Sequence, residues 1–320
     1  MLSAVIPVYN EVESLESLYR ELDEVAREQG YELDLVFVDD GSTDGSWQTI
    51  CALAASDRRV RGLRFRRNFG KAAALSAGFQ AARGELIMTL DADLQDDPRE
   101  IPRFLEQMAN QFDVVSGWKK IRHDPWHKVW PSRVFNWLVS SLTGVRLHDH
   151  NCGMKCYRRE IFREVRLYGE LHRFVPVLAH ARGFRVGEVV IRHRPRQHGH
   201  SKYGMRRFLR GFLDLLTVKF LTGFGQRPQH ALGAVGLGFF LLGALGIAYL
   251  SAHWLRMQLW PQPTDEPLHK RPALLYSVAS LLLGGQLISI GFLAELIIAY
   301  TGRDAETYSI AEQTTHADVV

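Results

Sequence analysis

The stretch Leu90-Asp91-Ala92-Asp93-Leu94-Gln95 follows a largely apolar run over residues 85–90, and Val38-Asp39-Asp40-Gly41-Ser42 follows another over residues 33–38. Short apolar runs of this kind are typical of strands buried on both faces of a parallel sheet. Open α/β sheets bind ligands at the carboxyl ends of their strands, so both acidic segments are predicted to lie at a binding edge. Asp91 and Asp93 stand two residues apart in extended chain, and their carboxylates can therefore hold one hard divalent cation. A cation held by so few protein groups suits a diphosphate substrate.

An Asp-x-Asp tripeptide taken alone is more often a solvated turn. Two further segments favour the ligand site: Pro7-Val8-Tyr9-Asn10-Glu11 ends a first apolar strand, and Arg67-Asn68-Phe69-Gly70-Lys71 follows a third strand around residues 60–65. In this order and spacing, the four segments resemble the family-2 glycosyltransferases. The resemblance implies an α/β fold of the GT-A type, with a mostly parallel sheet that binds a nucleotide sugar.

Two segments further along the chain narrow the resemblance. Residues 149–159 are similar to the acceptor side of dolichyl-phosphate mannosyltransferases and bacterial undecaprenyl-phosphate glycosyltransferases, and residues 196–204 resemble their basic loop ending in Ser-Lys-Tyr. The resemblance implies an inverting, metal-dependent transfer of a sugar to polyprenyl phosphate, undecaprenyl or dolichyl. The donor would be UDP-glucose or a similar nucleotide sugar, with GDP-mannose also open. The product would be a lipid-linked sugar for modification of cell-envelope glycans or lipids.

The resemblance also implies roles for individual residues. The donor nucleotide sugar is expected to contact Pro7, Tyr9, Asn10, Glu11, Asp39, Asp40, Gly70, Lys71, Asp91, Ala92, Arg196 and Lys202. Mg²⁺ or Mn²⁺, a Lewis acid for the leaving diphosphate, is assigned to Asp91, Asp93 and Gln95. The acceptor phosphate is assigned to Arg133, Lys155 and Ser201. The candidate catalytic residues are Asp93, Asp149 and Lys71.

Several assignments stay open at the level of sequence. A phosphate monoester is mostly a dianion at neutral pH, so a strong general base is not required. Asp149 either orients the acceptor and collects a proton or caps the turn before Cys152. Many relatives carry an arginine soon after the fifth strand, where this chain offers Lys119, Lys120 or Arg122. His172 has no metal-binding spacing and is interpreted as a surface or core residue.

Two long uncharged segments follow, over residues 231–252 and 273–294. Helices of this length, at about 1.5 Å per residue, span the roughly 30 Å hydrocarbon layer of a bilayer. We predict transmembrane spans at about 231–253 and 273–299, with buried core helices as the alternative. Lys and Arg crowd the segment before the first span, whereas the connector 254–272 carries few net charges. The positive-inside bias therefore predicts a multi-pass protein of the inner or plasma membrane with a cytosolic catalytic domain.

Apolar residues recur at helical spacing beside basic residues over 125–143 and 205–221. The pattern predicts two amphipathic helices at the membrane interface, with ordinary packing on the catalytic domain as the alternative for each. The predicted domain plan is therefore a catalytic domain over residues 1–203, an interface helix and linker over 204–228, a transmembrane domain over 229–302 and a cytosolic tail over 303–320.

The composition sets limits on other functions. The formal net charge is +4, and the basic residues accompany apolar stripes, so membrane lipid is a simpler partner than nucleic acid. Three cysteines in a cytosolic protein are expected to be reduced thiols. Glycines in the first span favour close helix packing and a homo-oligomer. The first strand is not followed by a Gly-x-Gly-x-x-Gly segment, which excludes the usual dinucleotide fingerprint. The alternative function is a catalytically silent membrane scaffold that binds nucleotide sugar or lipid.

Overall fold

The computed structural model describes residues 1–120, 126–165, 171–192, 194, 211–219, 228–262 and 267–301. These residues form two compact units, one up to residue 219 and a second over the residues that follow. The predicted boundary at residue 203 and the predicted tail over 303–320 lie outside the described residues. The domain plan as a whole stays a prediction.

The first unit is built on a seven-stranded sheet with the strand order β3-β2-β1-β4-β6-β5-β7. The strands are β1 (Leu2–Val8), β2 (Leu33–Asp39), β3 (Val60–Arg64), β4 (Leu86–Thr89), β5 (Val114–Trp118), β6 (Lys155–Arg158) and β7 (Val186–Val190). Only β6 is antiparallel to its two neighbours, and the other pairs are parallel. The predicted mostly parallel α/β sheet is confirmed.

Helices cover both faces of this sheet. They are α1 (Val12–Gln29), α2 (Ser46–Ser56), α3 (Lys71–Ala81), α4 (Ile101–Ala109), α5 (Trp126–Thr143), α6 (Ile161–Glu164), α7 (Val175–Ala181) and α8 over residues 211–219. Successive strand residues point to opposite faces. Accordingly, Ala4 and Ile6 of β1 join one buried cluster while Val5 joins the other. Burial on both faces explains why β1 and β2 read as continuous apolar runs.

The strand register gathers chain ends at one edge of the sheet. Val8 lies opposite Asp39 in the β1–β2 ladder, so both strands end together. β4 runs parallel to β1 and ends at the same edge. Because β6 is antiparallel, it begins there instead, with Lys155 opposite Thr89. The segments after β1, β2 and β4 and the segment before β6 therefore meet.

The helices α5 and α8 each have one packed and one exposed apolar face. Phe135 and Val139 of α5 share a buried cluster with Leu215 of α8. On the other face of α5, Trp137 is 68% exposed. The exposed residues of α8 include Phe212, Leu213 and Leu216. Both helices thus pack on the catalytic domain and keep an apolar surface that the domain does not cover. Residues 205–210 and 220–221 of the second predicted helix lie outside the described part of the chain.

The second unit consists of α9 (Pro228–Leu259) and α10 (Pro272–Thr301). Both helices are long and apolar enough to cross a membrane. They extend beyond the predicted spans at both ends. Glycines let the two helices approach: a Cβ at Gly236 would lie 2.9 Å from the carbonyl oxygen of Gly284, and a Cβ at Gly243 would meet the backbone of Leu281. Much of the glycine pattern therefore serves packing within one chain.

The α9–α10 contact predicts a difference between two glycines of the same helix. Replacement Gly243→Leu drives a side chain into the α10 backbone, and overpacking of this kind costs about 1–3 kcal/mol. Gly238 has nothing within 4 Å of its Cβ position, so Gly238→Leu is the matched control with the same gain in helix propensity. We expect a lower melting temperature for Gly243→Leu alone, measured by thermal unfolding in detergent. Equal melting of the two variants would contradict this packing.

Candidate active site

The loops after β1 and β2 interlock at the carboxyl edge. Asn10 adopts a left-handed backbone conformation with φ of 56°. Its backbone N–H donates to Ser42 Oγ at 2.9 Å, and its Oδ1 accepts the backbone N–H of Thr43 at 2.9 Å. The backbone N–H of Glu11 donates to Ser46 Oγ at 3.1 Å. The predicted nucleoside residues Asn10 and Glu11 are therefore fixed against the β2 loop, and Tyr9 beside them is 39% exposed.

The two carboxylates that end β2 have different surroundings. Asp39 is fully buried, with Oδ1 accepting the backbone N–H of Ser42 at 2.9 Å and Oδ2 lying 3.4 Å from Arg64 Nε. The two oxygens of Asp40 accept the backbone N–H groups of Phe69 at 2.7 Å and Gly70 at 2.9 Å. Burial raises the pKa of Asp40, and these two donors partly oppose the rise. Asp40 thus fixes the loop that leads into Lys71.

Gly41 makes room for that same loop. A Cβ at this position would lie 2.6 Å from the carbonyl carbon of Arg67, and the φ of Gly41 is 76°. Both the close approach and the left-handed conformation require glycine. Asp40 and Gly41 together explain the Asp-Gly pair of the first acidic segment: one residue binds the 67–70 loop and the next lets it approach.

Asp91 is held from two sides. Its carboxylate forms an ion pair with Lys71, the first residue of α3. Burial alone would raise the pKa of Asp91, but the Lys71 ammonium outweighs it and holds the pKa below its ordinary value. On the other side, a Cβ at Gly153 would lie 2.6 Å from Asp91 Oδ2. The carbonyl of Gly153 accepts a hydrogen bond from Thr89 Oγ1 at 2.7 Å, which fixes this contact to β4.

Asp93 and Gln95 complete the second acidic segment. Asp93 is 8% exposed, and its Oδ1 accepts the backbone N–H of Gln95 at 3.2 Å. Leu94 between them has a φ of 60°, so the chain turns sharply here. Ala92 is buried between the two aspartates. Asp91 and Asp93 thus occupy a short turn at the end of β4.

The oxygen ligands of this turn fit a hard cation that is bound partly by the protein and partly by a substrate. Carboxylate and amide oxygens are the ligands that Mg²⁺ and Mn²⁺ prefer. Among the described residues, no group of three or more His, Cys, Asp and Glu side chains is arranged to hold a metal. Two carboxylates with phosphate oxygens and water are the usual environment of Mg²⁺, which rarely uses an all-protein cage.

The turn before β6 is held by the two residues predicted for the acceptor side. Asp149 is 2% exposed, and its Oδ1 accepts the backbone N–H of Asn151 at 3.1 Å. Lys155 is 4% exposed, and its Nζ donates to the carbonyls of His150, at 3.2 Å, and Cys152. Burial lowers the pKa of Lys155. The turn-capping role left open for Asp149 is therefore present in the structure, and the predicted catalytic and phosphate-binding roles stay predictions.

Of the three basic residues considered after β5, the structure brings Lys119 into the site. Its Nζ lies 2.9 Å from Oδ1 of the buried Asp96. Burial alone would lower the pKa of Lys119. The negative charges of Asp96 and the nearby Asp91 outweigh burial and hold the pKa above its ordinary value, so the ammonium stays charged. Lys120 instead lies over the Trp118 ring, 5.8 Å from its centroid. Arg122 lies outside the described residues.

His172 is the site residue that sequence spacing did not identify. It lies in the short 3₁₀ turn Leu171–Phe174 and is 9% exposed. Burial and the positive charge of Lys71 lower its pKa well below the ordinary value, so the ring is neutral beside Lys71 and Asp91. No sequence signal links a lone histidine to residues a hundred positions away, because the strand order alone brings them together.

The remaining predicted residues are spread more widely. Pro7 lies within β1, and Gly70 precedes α3 with a φ of 95°. Arg133 is exposed on α5. Three residues of the predicted basic loop lie outside the described part of the chain: Arg196, Ser201 and Lys202. Their assignments remain predictions.

Comparison with known proteins agrees with this geometry. Residues 3–166, which contain both acidic segments and the Asp149–Lys155 turn, match the family model described as glycosyl transferase family 2. The chain belongs to this family. The glycosyltransferase is 37% identical to dodecaprenyl-phosphate galacturonate synthase of Rhizobium johnstonii, over 95% of this chain and 89% of that protein. It is 38% identical to undecaprenyl-phosphate 4-deoxy-4-formamido-L-arabinose transferase of Pseudomonas fluorescens, over 94% of this chain and 84% of that protein.

A solved structure shares the fold of the glycosyltransferase. Glucosyl-3-phosphoglycerate synthase of Mycobacterium tuberculosis, in complex with Mn²⁺, UDP and phosphoglyceric acid, superposes with a TM-score of 0.54 at 16% identity. The match covers 69% of this chain and 78% of that one. At this identity the similarity establishes the GT-A fold alone.

The contact between Gly153 and Asp91 predicts that a single methyl group impairs the glycosyltransferase. Gly153→Ala must displace the Asp91 carboxylate, and a misplacement of about 1 Å at a reacting site can cost about 10²-fold in rate. Gly211→Ala in the same unit is the control, because its Cβ would lie 3.4 Å from Phe135, an ordinary contact. Initial rates of sugar transfer measure the effect, with thermal unfolding to confirm the fold. A wild-type rate for Gly153→Ala would show that Asp91 has room to move.

Proposed function

We propose that this glycosyltransferase moves a sugar from a UDP-sugar to polyprenyl phosphate at a membrane surface. The observation that carries the proposal is the meeting of the Asp91–Asp93 turn and the Asp149–Lys155 turn at one edge of the sheet, where Gly153 touches Asp91. The first turn suits a donor diphosphate and the second suits an acceptor. Relatives that match over nearly the whole chain are named for transfer to dodecaprenyl and undecaprenyl phosphate.

The donor side would work through charge. Asp91 and Asp93, with Gln95, would hold Mg²⁺ or Mn²⁺, which supplies a Lewis acid for the leaving diphosphate. Lys71 pairs with Asp91 in the described structure and lies where its ammonium can also contact a donor phosphate. Lys119 adds a second fixed positive charge close to Asp91. Cationic groups fixed in advance stabilise the charge that grows on a leaving nucleoside diphosphate.

The acceptor phosphate would itself be the nucleophile. A phosphate monoester has a second pKa near about 6 and is mostly a dianion at neutral pH. One of its oxygens attacks the anomeric carbon of the sugar as the bond from that carbon to the diphosphate oxygen breaks. No proton needs to be removed, so the displacement requires no general base. A single displacement inverts the anomeric configuration.

Names of similar proteins point to the class of donor. The relatives are named for galacturonate and for 4-deoxy-4-formamido-L-arabinose, and the neighbour of shared fold was solved with UDP and Mn²⁺. The names of the two relatives support a uronate or a modified pentose as the transferred sugar, and the UDP nucleotide is carried from the expectation of UDP-glucose. The candidates for the transferred sugar are uronates, modified pentoses and the glucose expected from the sequence. GDP-mannose tests whether the enzyme requires uracil as the nucleobase of the donor.

The second substrate accounts for the exposed apolar surfaces. A polyprenyl chain stays in the bilayer, so the catalytic domain must lie against the membrane to reach its phosphate. The exposed faces of α5 and α8 provide apolar surface for that contact, and α9 and α10 are candidate membrane spans. We propose a cytosolic catalytic domain on the inner membrane, with a homo-oligomer as a further expectation.

Sugar transfer by the detergent-purified protein to undecaprenyl phosphate tests the proposal. The donors are labelled UDP-galacturonate, UDP-glucuronate, UDP-glucose, UDP-4-deoxy-4-formamido-L-arabinose and GDP-mannose, each with Mg²⁺, with Mn²⁺ or with EDTA. We expect one lipid-soluble product from a UDP-sugar, lost with EDTA. Nucleotide binding without transfer from any donor would favour the silent scaffold instead.

Removal of one carboxylate tests the metal assignment. Asp93→Asn keeps the side-chain volume and an oxygen for the Gln95 N–H but removes the negative charge, so we expect transfer to fall by about 10²-fold or more. Glu106→Gln on the exposed surface of α4 is the control for loss of one charge. Rates are measured across a Mg²⁺ titration. Full activity of Asp93→Asn at low Mg²⁺ would show that Asp93 is not a metal ligand.

A further inference from the structure

A buried amide on α5 holds the acceptor turn. Asn136 is 4% exposed, and its Nδ2 donates to the carbonyl of His148 at 2.9 Å while its Oδ1 accepts the backbone N–H of His150 at 3.3 Å. One helical turn further on, Ser140 Oγ donates to the carbonyl of Leu147 at 3.2 Å and lies 3.0 Å from His150 Nε2. Asn136 and Ser140, which we name the α5 clamp, thus bind residues 147–150 at several points.

The clamp lies directly behind the exposed apolar face of the helix. Asn136 is buried, and the next residue, Trp137, is 68% exposed. Successive helix residues point about 100° apart, so one stretch of α5 carries both the clamp and the surface proposed to contact lipid. The hydrogen bonds of the clamp therefore link the position of residues 147–150 to the position of α5.

The clamped segment leads straight to Asp91. The Asp149 side chain accepts the backbone N–H of Asn151, and Lys155 Nζ donates to the carbonyls of His150 and Cys152. The next residue, Gly153, packs against the Asp91 carboxylate and is fixed to Thr89. A continuous set of short contacts thus connects the clamp to the proposed metal ligand.

We propose that Asn136 and Ser140 are positioning residues for sugar transfer. They set the distance between the membrane-facing helix, where the acceptor phosphate arrives, and the Asp91 carboxylate, where the donor diphosphate is bound. The inference rests on the proposed function and extends it. The clamp residues touch neither reactant, and they act by placing the 147–153 segment between the two substrates.

The chemistry of the amide explains why asparagine serves here. The clamp needs one donor, for the His148 carbonyl, and one acceptor, for the His150 N–H. An ionised aspartate has the same shape but only accepts, so it leaves its oxygen facing the His148 carbonyl. A protonated aspartate again offers one donor and one acceptor. Burial raises the pKa of a carboxyl group and brings this change into an accessible pH range.

The Asn136→Asp variant therefore distinguishes the clamp from simple packing, because only the clamp predicts a loss of activity that depends on pH. We measure kcat and KM for transfer to undecaprenyl phosphate between pH 5.5 and pH 8. The wild-type profile is the reference, because His148, His150 and Glu188 face this segment. At pH 8 we expect the kcat of the variant to fall about tenfold, with the donor KM nearly unchanged. The variant-to-wild-type ratio should rise several-fold toward pH 5.5. A ratio that does not change with pH would overturn the proposal.

Two adjacent serines give a second test that does not depend on a buried charge. Ser140→Ala removes part of the clamp, whereas Ser141→Ala changes an exposed position on the same helix. We expect a lower kcat for Ser140→Ala and a wild-type kcat for Ser141→Ala. Equal rates for the two variants would overturn the role of Ser140, even if Asn136→Asp proved unstable.

Hydrogen exchange separates this inference from the proposed function. Asn136→Asp and Ser140→Ala should speed exchange of the backbone amides of residues 148–153 at pH 8, whatever the enzyme transfers. Unchanged protection would overturn the clamp. Faster exchange in a protein whose wild type transfers no sugar would support the clamp and reject the proposed function alone.

Discussion

The carboxylate of Asp91 is the point on which the site depends. It contacts Lys71 at the start of α3, it follows the end of β4, and it lies against Gly153 of the turn before β6. Lys71 in turn is delivered by a loop that Asp40 binds through two backbone N–H groups. One partly buried anion therefore joins segments that are far apart in sequence.

The site brings lysine ammonium groups and aspartate carboxylates together at one edge of the sheet. Lys71 faces Asp91 and Lys119 faces Asp96, whereas the described contacts of Lys155 Nζ are two carbonyls. Carbonyl dipoles stabilise an ammonium but do not cancel its charge. Ammonium groups can bind phosphate, and the two carboxylates in one turn suit a cation that is shared with that phosphate. The opposed charges suit two phosphorylated substrates that must meet.

Much of the fold could be predicted from sequence because its signals are local. The apolar runs before Asp39 and Asp91 identify strands buried on both faces. The shared metal role of Asp91 and Asp93 stays a prediction, since its spacing argument assumed extended chain and the structure places the pair in a turn. Lys119, His172 and the Gly153 contact could not be derived in this way, because they depend on the insertion of β6 between β4 and β5. The choice between membrane contact and domain packing for α5 and α8 was equally out of reach, since each helix has both faces.

The antiparallel direction of β6 has a consequence for how the sequence of this fold can vary. A parallel strand in the place of β6 would bring its far end to the binding edge, whereas β6 begins there and is preceded by α5 and the acceptor turn. The stretch from α5 to Lys155, which includes two of the residues predicted for the acceptor phosphate, is consequently contiguous in the chain and pairs with β4 through one ladder. Substitutions in that stretch leave the ladders among β1, β2 and β3 untouched, so the strand direction makes it a module that can vary independently of the first three strands.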